Sequence, residues 1–338
     1  MDVQQSSLPT PEEQVYAGAP DASRLEQRVK FPPLLAVAIG VLAAVLVARI
    51  GSAHDAPLNA KRPVSAETSF DSSSTSSLGA SASSASPAGS SFSGSTARPD
   101  SRQLDGLKPQ KQAENLLELA IGQSDGAVEQ ISSRVDRWQG RLKWSPQIAT
   151  LTTTALNSND RRVRESGIEI ELAAYGLSKN SESVDYLLKT AESKDHAQKT
   201  WALWALGLMG NRGVASEQVV EALKAHLKDS DEDSRLWAVE GLALVGTSQT
   251  IDPLLKTMRD DASPRVREAA VCGLAQSGML TQDQRMSAVP QLLKYTDDPG
   301  LDAQTHAWAF QALGEITRQR LPNNSAAWRE WYGEAVGR

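Results

Sequence analysis

Apolar positions recur at helical spacing in several similar stretches of the second half of the chain. In the stretch DSRLWAVEGLALVG, residues 233–246, the large apolar side chains are Leu236, Trp237, Val239, Leu242, Leu244 and Val245. Small residues lie between them, and Gly246 follows, where glycine suits the left-handed conformation that ends many helices. The pattern predicts a short helix that ends at Gly246. Such a helix cannot bury its apolar face alone, so it needs partners.

The same pattern returns at a nearly constant interval. A basic or histidine residue marks each copy, at Arg164, Lys199, Arg235, Arg267 and His306, which are 35, 36, 32 and 39 residues apart. A second helix is predicted after each of the first four copies, and its equivalent lysines are Lys189, Lys224, Lys256 and Lys294. Because two landmarks share one period, the sequence predicts helical hairpins that cover each other's apolar faces in a solenoid.

The stretch DASPRVREAAVCGLAQSG, followed by VPQLLKYTDD, resembles the short HEAT repeats that are also called phycobilisome-lyase-like repeats. The resemblance spans roughly residues 159–320, and the first unit departs from it because Ile170 replaces a small residue. It implies an all-α, right-handed α-solenoid of about five HEAT-like hairpins. It also implies a ladder of ion pairs between repeats, in which Asp231 or Asp233 would match Arg235, and Asp261 would match Arg267.

The region before the repeats has four predicted parts. Residues 1–30 are polar and predict a disordered tail, and residues 31–50 contain eighteen uncharged, mostly apolar positions, enough for about 27 Å of helix. We interpret 31–50 as a transmembrane helix; a cleaved signal peptide is the alternative. The Ser-, Gly- and Ala-rich residues 51–107 predict a disordered linker. Residues 108–158 predict an N-terminal helical cap, and 159–338 the repeats with a C-terminal cap.

Composition and motifs exclude several classes of function. The net charge of −6 argues against a nucleic-acid partner. The lone Cys272 excludes an internal disulfide and a cysteine-based zinc site. The sequence contains no nucleophile elbow, no phosphate-binding glycine loop and no zinc-protease helix motif. We therefore predict no enzyme activity, no cofactor, no metal and no small-molecule substrate.

Three groups of residues are candidates for a role beyond packing. The lysines at 189, 224, 256 and 294 could line up as a basic stripe, or each could complement the dipole of its own helix. Trp328 and Trp331 lie in a W-R-x-W element that resembles the ending of many bacterial HEAT-repeat chains; they could cap the last repeat or anchor a partner. We expect Cys272 to pack as a small buried thiol and His306 to take the place of a ladder residue, rather than either having a catalytic role.

The sequence thus predicts a scaffold or adaptor that is tethered to the membrane by residues 31–50 and presents its repeat surface to a protein partner. The resemblance and the export-like linker favour a bacterial inner-membrane protein with its C-terminal domain outside the cytoplasm. Two alternatives remain open at this point. One is an accessory factor of an enzyme, lyase-like or chaperone-like, that depends on Cys272 or His306. The other is a structural protein that binds an envelope polymer through the lysine row.

Overall fold

The structure is a computed structural model, and it describes residues 101–336. The predicted tail (1–30), the predicted membrane helix (31–50) and most of the predicted linker (51–107) lie outside the described residues. Within the described part every regular element is a helix, which confirms the all-α class. Between residues 101 and 336, no helix has both the length and the apolar character that a bilayer crossing requires.

Fifteen α-helices and one 3₁₀ turn, Ser248–Thr250, make up this part of the chain. The N-terminal helices are α1 Ser101–Asp105, α2 Pro109–Ile121, α3 Ala127–Trp138 and α4 Pro146–Leu156. The repeat helices are α5 Arg161–Tyr175, α6 Ser181–Ala191, α7 His196–Asn211, α8 Ser216–His226, α9 Glu232–Val245, α10 Ile251–Asp260, α11 Pro264–Ala275, α12 Gln282–Met286, α13 Val289–Tyr295, α14 Ala303–Thr317 and α15 Ser325–Val336.

The N-terminal helices form a core of their own. Leu116 and Leu117 of α2, Ile131 of α3 and Ile148 of α4 are fully buried in it. Trp138 is also buried, and its indole N–H donates to Gln112 Oε1 at 3.0 Å. Helix α1 lies inside the segment that was predicted as a linker. It is part of the N-terminal core, since its Leu104 is buried there.

The repeats are helical hairpins, as predicted. Each second helix packs against the first helix of the next unit: α6 on α7, α8 on α9, α10 on α11 and α13 on α14. Helices α8 and α10 also pack against the first helix of their own unit, and the last helix α15 packs against α13. The first helices α7, α9, α11 and α14 pack side by side in that order. Trp201, Trp237 and Trp308, which occupy equivalent positions in three of them, all lie in one continuous hydrophobic core. Helix α9 ends at Gly246 in the left-handed conformation, with φ of 63°, as its sequence predicts.

Helices α7 and α9 touch through backbone. A Cβ atom on Gly207 would lie 2.6 Å from the carbonyl oxygen of Gly241, and a Cβ on Gly241 would lie 2.7 Å from the carbonyl oxygen of Leu203. No side chain fits between the two helices at this crossing. Glycine at these two positions therefore fixes the spacing of the second and third units.

An inter-repeat ladder of ion pairs joins the second to the fifth unit. In each pair the basic residue of one first helix reaches the acidic turn before the next. Lys199 Nζ lies 3.0 Å from Asp229 Oδ2, Arg235 binds both carboxylate oxygens of Asp261 at 2.9 and 3.2 Å, and Arg267 Nη2 lies 2.7 Å from Asp302 Oδ2. The guanidinium groups also donate to a carbonyl of their own turn, Asp229 O for Arg235 and Asp261 O for Arg267.

The pairing predicted for this ladder was wrong by one unit. Asp231 does not pair with Arg235, because its carboxylate accepts the backbone N–H of Ser234 at 2.8 Å and caps its own helix. Asp233 instead binds Arg265 of the next unit, at 2.7 Å. Arg267 does contact Asp261, but through the carbonyl oxygen rather than the carboxylate.

The first unit does not extend the ladder. Helix α5 packs on α3 and α4, and it makes few contacts with α7. Its basic residue, Arg164, donates to Ser158 O of its own turn in the same manner as the ladder arginines. Its second bond, however, goes to Gly278 O, 114 positions along the chain, in the loop that follows α11. The repeats thus curve far enough for the first unit to contact the fourth.

We expect Gly207→Ala to destabilise the protein by about 1–3 kcal/mol, since the new methyl group forces α7 and α9 apart. The matched control is Gly333→Ala in α15, where a Cβ would meet no heavy atom within 4 Å. That control should be neutral or stabilising by about 0.5–1 kcal/mol. Urea unfolding followed by circular dichroism measures both. Equal stability of the two variants would contradict the close contact.

We also expect the ladder pair Arg235–Asp261 to couple more strongly than an exposed pair. Both side chains are largely buried, at 15% and 5% exposure, so a double-mutant cycle with Arg235→Gln and Asp261→Asn should give about 1.5–3 kcal/mol. The reference cycle uses the exposed neighbours Arg259 and Asp260, for which we expect less than about 1 kcal/mol. Equal coupling energies in the two cycles would show that the Arg235–Asp261 pair stabilises the protein no more than an exposed ion pair does.

Candidate functional site

A cavity of about 620 Å³ lies between the first helices of the repeats and the turn that joins α4 to α5. We call it the central cavity. Its apolar wall is formed by Leu156, Trp204, Trp237, Leu244, Met279 and Leu280. Small side chains of α9 and α11, among them Ala243, Ala269 and Gly273, leave the space that the cavity occupies. A volume of this size, with aromatic walls, is typical of sites that bind small ligands or short peptide segments.

Arg164 closes one side of the central cavity. It is 8% exposed, and its guanidinium joins the turn before α5 to the carbonyl oxygen of Gly278. Gly278 has φ of 70°, and a Cβ there would lie 2.9 Å from Arg164 Cζ. Glycine is therefore required at 278 both for the backbone conformation and for the space that Arg164 needs.

The central cavity holds arginines without carboxylate partners. Arg164, Arg285 and Arg318 line it, and none of them forms an ion pair with any residue of the described part of the chain. The Nε groups of Arg164 and Arg285 are buried and have no hydrogen-bond acceptor. Burial and the charges of Arg161 and Arg285 lower the pKa of Arg164, while burial and Arg318 lower the pKa of Arg285. The cationic groups are therefore close enough to repel one another.

Glu240 lies in the same cavity and accepts no hydrogen bond from another residue of the structure. Burial raises the pKa of its carboxyl group to about 7. Cys272 is 4% exposed, and burial, together with Glu268, Glu240 and Glu315, raises the pKa of its thiol to about 12. The thiol is therefore protonated at neutral pH, and it packs as a small buried side chain.

The lysine row does not form a uniformly basic stripe. Lys224 and Lys256 line a shallow groove of about 1110 Å³ between α8 and α10, whereas Lys189 and Lys294 lie outside it. Carboxylates share this groove, namely Glu217, Glu221, Asp229, Asp252, Asp260 and Asp261. Lys224 Nζ lies 2.6 Å from Glu221 Oε1. The groove between the second helices is therefore mixed in charge.

The tryptophans of the last helix have different environments. Trp328 is 1% exposed, and its indole N–H donates to Pro322 O at 3.0 Å. Trp331 is partly buried and packs edge-on against Trp328, with ring centroids 6.0 Å apart. This placement fits the cap alternative for Trp328. His306 Nε2 lies 2.8 Å from Asp298 O, so it contacts its own turn as the ladder arginines do.

Among residues 101–336, no group of three or more His, Cys, Asp or Glu side chains is arranged to hold a metal ion. The residues that form the central cavity were not predicted as a site. One signal for it exists in the sequence, because the interval between Arg267 and His306 is the longest of the series. The extra residues form the loop after α11 and helix α12, which supply Gly278, Met279, Leu280 and Arg285 to the cavity.

Comparison with known proteins gives a family match over part of the chain. Residues 148–243, which run from α4 to α9, match the family model of HEAT repeats. The match includes the first unit, in which Ile170 departs from the repeat pattern, and it stops before the fourth unit. None of the curated proteins compared with the chain matches it.

Solved structures of designed repeat proteins are among the matches. A designed armadillo repeat protein in complex with the peptide (KR)4 is 17% identical, covers 61% of this chain and 99% of its own, and has a TM-score of 0.30. An engineered protein is 18% identical and covers 64% and 94%, with a TM-score of 0.30. A second designed armadillo repeat protein is 19% identical and covers 65% and 96%, with a TM-score of 0.29. The family match therefore shows that residues 148–243 are similar to HEAT repeats.

Proposed function

We propose that the protein is a non-enzymatic scaffold or adaptor that binds a segment of another protein in the central cavity. The observation that carries this proposal is the cavity itself, which is walled by Trp204 and Trp237 and is closed on one side by the Arg164 contact with Gly278. Because this contact restrains two walls of the cavity relative to each other, it lowers the entropic cost of binding. The raised pKa of the Cys272 thiol supports a binding role over thiolate chemistry.

The groove between α8 and α10 is a less suitable partner site. It is wide and shallow, and the positive charges of Lys224 and Lys256 are balanced by neighbouring carboxylates. A polymer with one sign of charge would meet both attraction and repulsion along it. The charge balance of this groove therefore favours the scaffold over the envelope-polymer alternative.

Membrane tethering by residues 31–50 is the second part of the proposal. It is supported by the length and apolar character of that stretch in the sequence. The Ser-rich residues 51–100 would then let the repeats search for a partner at some distance from the membrane.

We test the binding surface by site-specific photo-cross-linking in cells. A photoreactive amino acid replaces Gln276, at the rim of the cavity, or Lys256, in the groove, and the exposed Glu330 of α15 serves as the control position. We expect a reproducible adduct with one protein from Gln276 and none from Glu330. An adduct from Lys256 alone, or no protein adduct from any position, would overturn the proposal.

We test the tether by deletion and cell fractionation. Removing residues 31–50 should move the protein from the membrane fraction to the soluble fraction, since a span of about 27 Å is lost. Removing residues 71–90, an equally long piece of the Ser-rich linker, should leave it in the membrane fraction. If both deletions leave the protein with the membranes, residues 31–50 do not anchor it.

A further inference from the structure

The arginines of the inter-repeat ladder and three of the arginines in the central cavity have different surroundings. Those of the inter-repeat ladder, Arg235 and Arg267, each bind a carboxylate of the next unit. Five arginines line the central cavity. Two of them are ion-paired, Arg161 with Glu165 and Arg265 with Asp233. The other three, Arg164, Arg285 and Arg318, bind carbonyl or amide oxygens or no side chain at all. In a chain with a net charge of −6, carboxylates are plentiful, yet none pairs with these three groups in the described residues.

The cavity arginines also carry hydrogen-bond donors that lack acceptors. Within residues 101–336, the Nε groups of Arg164 and Arg285 are buried from solvent and make no hydrogen bond, as is also the case for Arg134 and Arg267. A buried donor without an acceptor costs free energy, and that cost is recovered when a ligand supplies the acceptor. An anionic oxygen is the acceptor that guanidinium groups bind most strongly.

The other walls restrict which anion fits. Trp204, Trp237, Leu244 and Leu280 offer an apolar surface beside the arginines, which suits a hydrophobic side chain. Glu240 and Glu268 line the cavity as well, and Glu240 has no hydrogen-bond donor in the structure. These carboxyl groups disfavour a highly charged phosphate but can accept the backbone N–H of a peptide. A single carboxylate, an adjacent apolar side chain and an amide donor together describe a peptide segment.

We propose that the central cavity binds a peptide segment of a partner protein in which an Asp or Glu residue lies next to an aromatic or branched aliphatic residue. The peptide carboxylate is held by Arg285 with Arg164 and Arg318, and the apolar side chain packs against Trp204 and Trp237. This inference rests on the proposed function and specifies the chemistry of the partner.

The test uses the full-length chain and fluorescein-labelled, end-blocked hexapeptides that share a Leu-Trp pair and differ at one central residue, Glu, Gln or Lys. Fluorescence anisotropy gives the dissociation constants. We expect the Glu peptides to bind about tenfold more tightly than the Gln peptides, because a hydrogen bond to a charged group is stronger than one to a neutral group. The Lys peptides should bind more weakly still.

Charge variants of the protein then locate the effect. Arg285→Gln should reduce the preference for Glu over Gln to less than about twofold, whereas Glu240→Gln should keep it and strengthen Glu-peptide binding a few-fold at pH 8, where the native carboxyl is ionised. Arg137→Gln, an exposed position on α3, is the matched control and should change nothing. Circular dichroism of each variant verifies that the helices remain folded.

Several outcomes would overturn the inference. They are equal binding of Glu and Gln peptides, a preference for Lys peptides, an unchanged preference in Arg285→Gln, and competition by inorganic phosphate without any discrimination between peptides. A protein adduct at Gln276 together with no preference for Glu would leave the proposed function in place and reject this inference. Absence of both the adduct and any peptide binding would reject the two together.

Discussion

The backbone contact between α7 and α9 sets the geometry on which the rest of the repeat region depends. With glycine at 207 and 241, the two helices approach so closely that a Cβ atom on either glycine would lie only 2.6–2.7 Å from a carbonyl oxygen of the other helix. A side chain at either position would push the two backbones apart. The repeats curve far enough for Arg164 of the first unit to reach Gly278 of the fourth. The central cavity is the space left inside that curve.

Arginine serves two purposes on this scaffold, and the difference depends on what surrounds it. In the ladder, a guanidinium group binds its own turn through a carbonyl oxygen and the next turn through a carboxylate, so each pair fixes the orientation of one hairpin on the next. At the equivalent position of the first unit, Arg164 keeps the bond to its own turn, but no following acid is within reach. It binds the Gly278 carbonyl instead. The residue at this position therefore binds the next unit in the second, third and fourth units, whereas in the first unit it binds the distant Gly278 carbonyl.

The sequence predicts the local architecture well because periodicity and capping are local properties. The helices of the repeats and the end of α9 at Gly246 follow from the spacing of a few residues. The ladder partners could not be assigned in this way, because Asp231 and Asp261 each lie only a few positions before the ladder arginine of their own unit. Which carboxylate caps a helix and which pairs with the neighbour depends on the three-dimensional stagger between units. The central cavity is less predictable still, since Arg164 and Gly278 meet only after three hairpins have turned.

The Arg164–Gly278 contact has a mechanical consequence. In a solenoid whose repeats contact only the adjacent repeats, a small force is enough to move the two ends apart. Here the hydrogen bond from Arg164 to Gly278 O, 114 positions apart, connects the first unit to the fourth. Stretching the repeats must therefore break this hydrogen bond first. The protein should therefore resist extension at first and extend easily once this hydrogen bond has broken. Until then, the central cavity keeps its width.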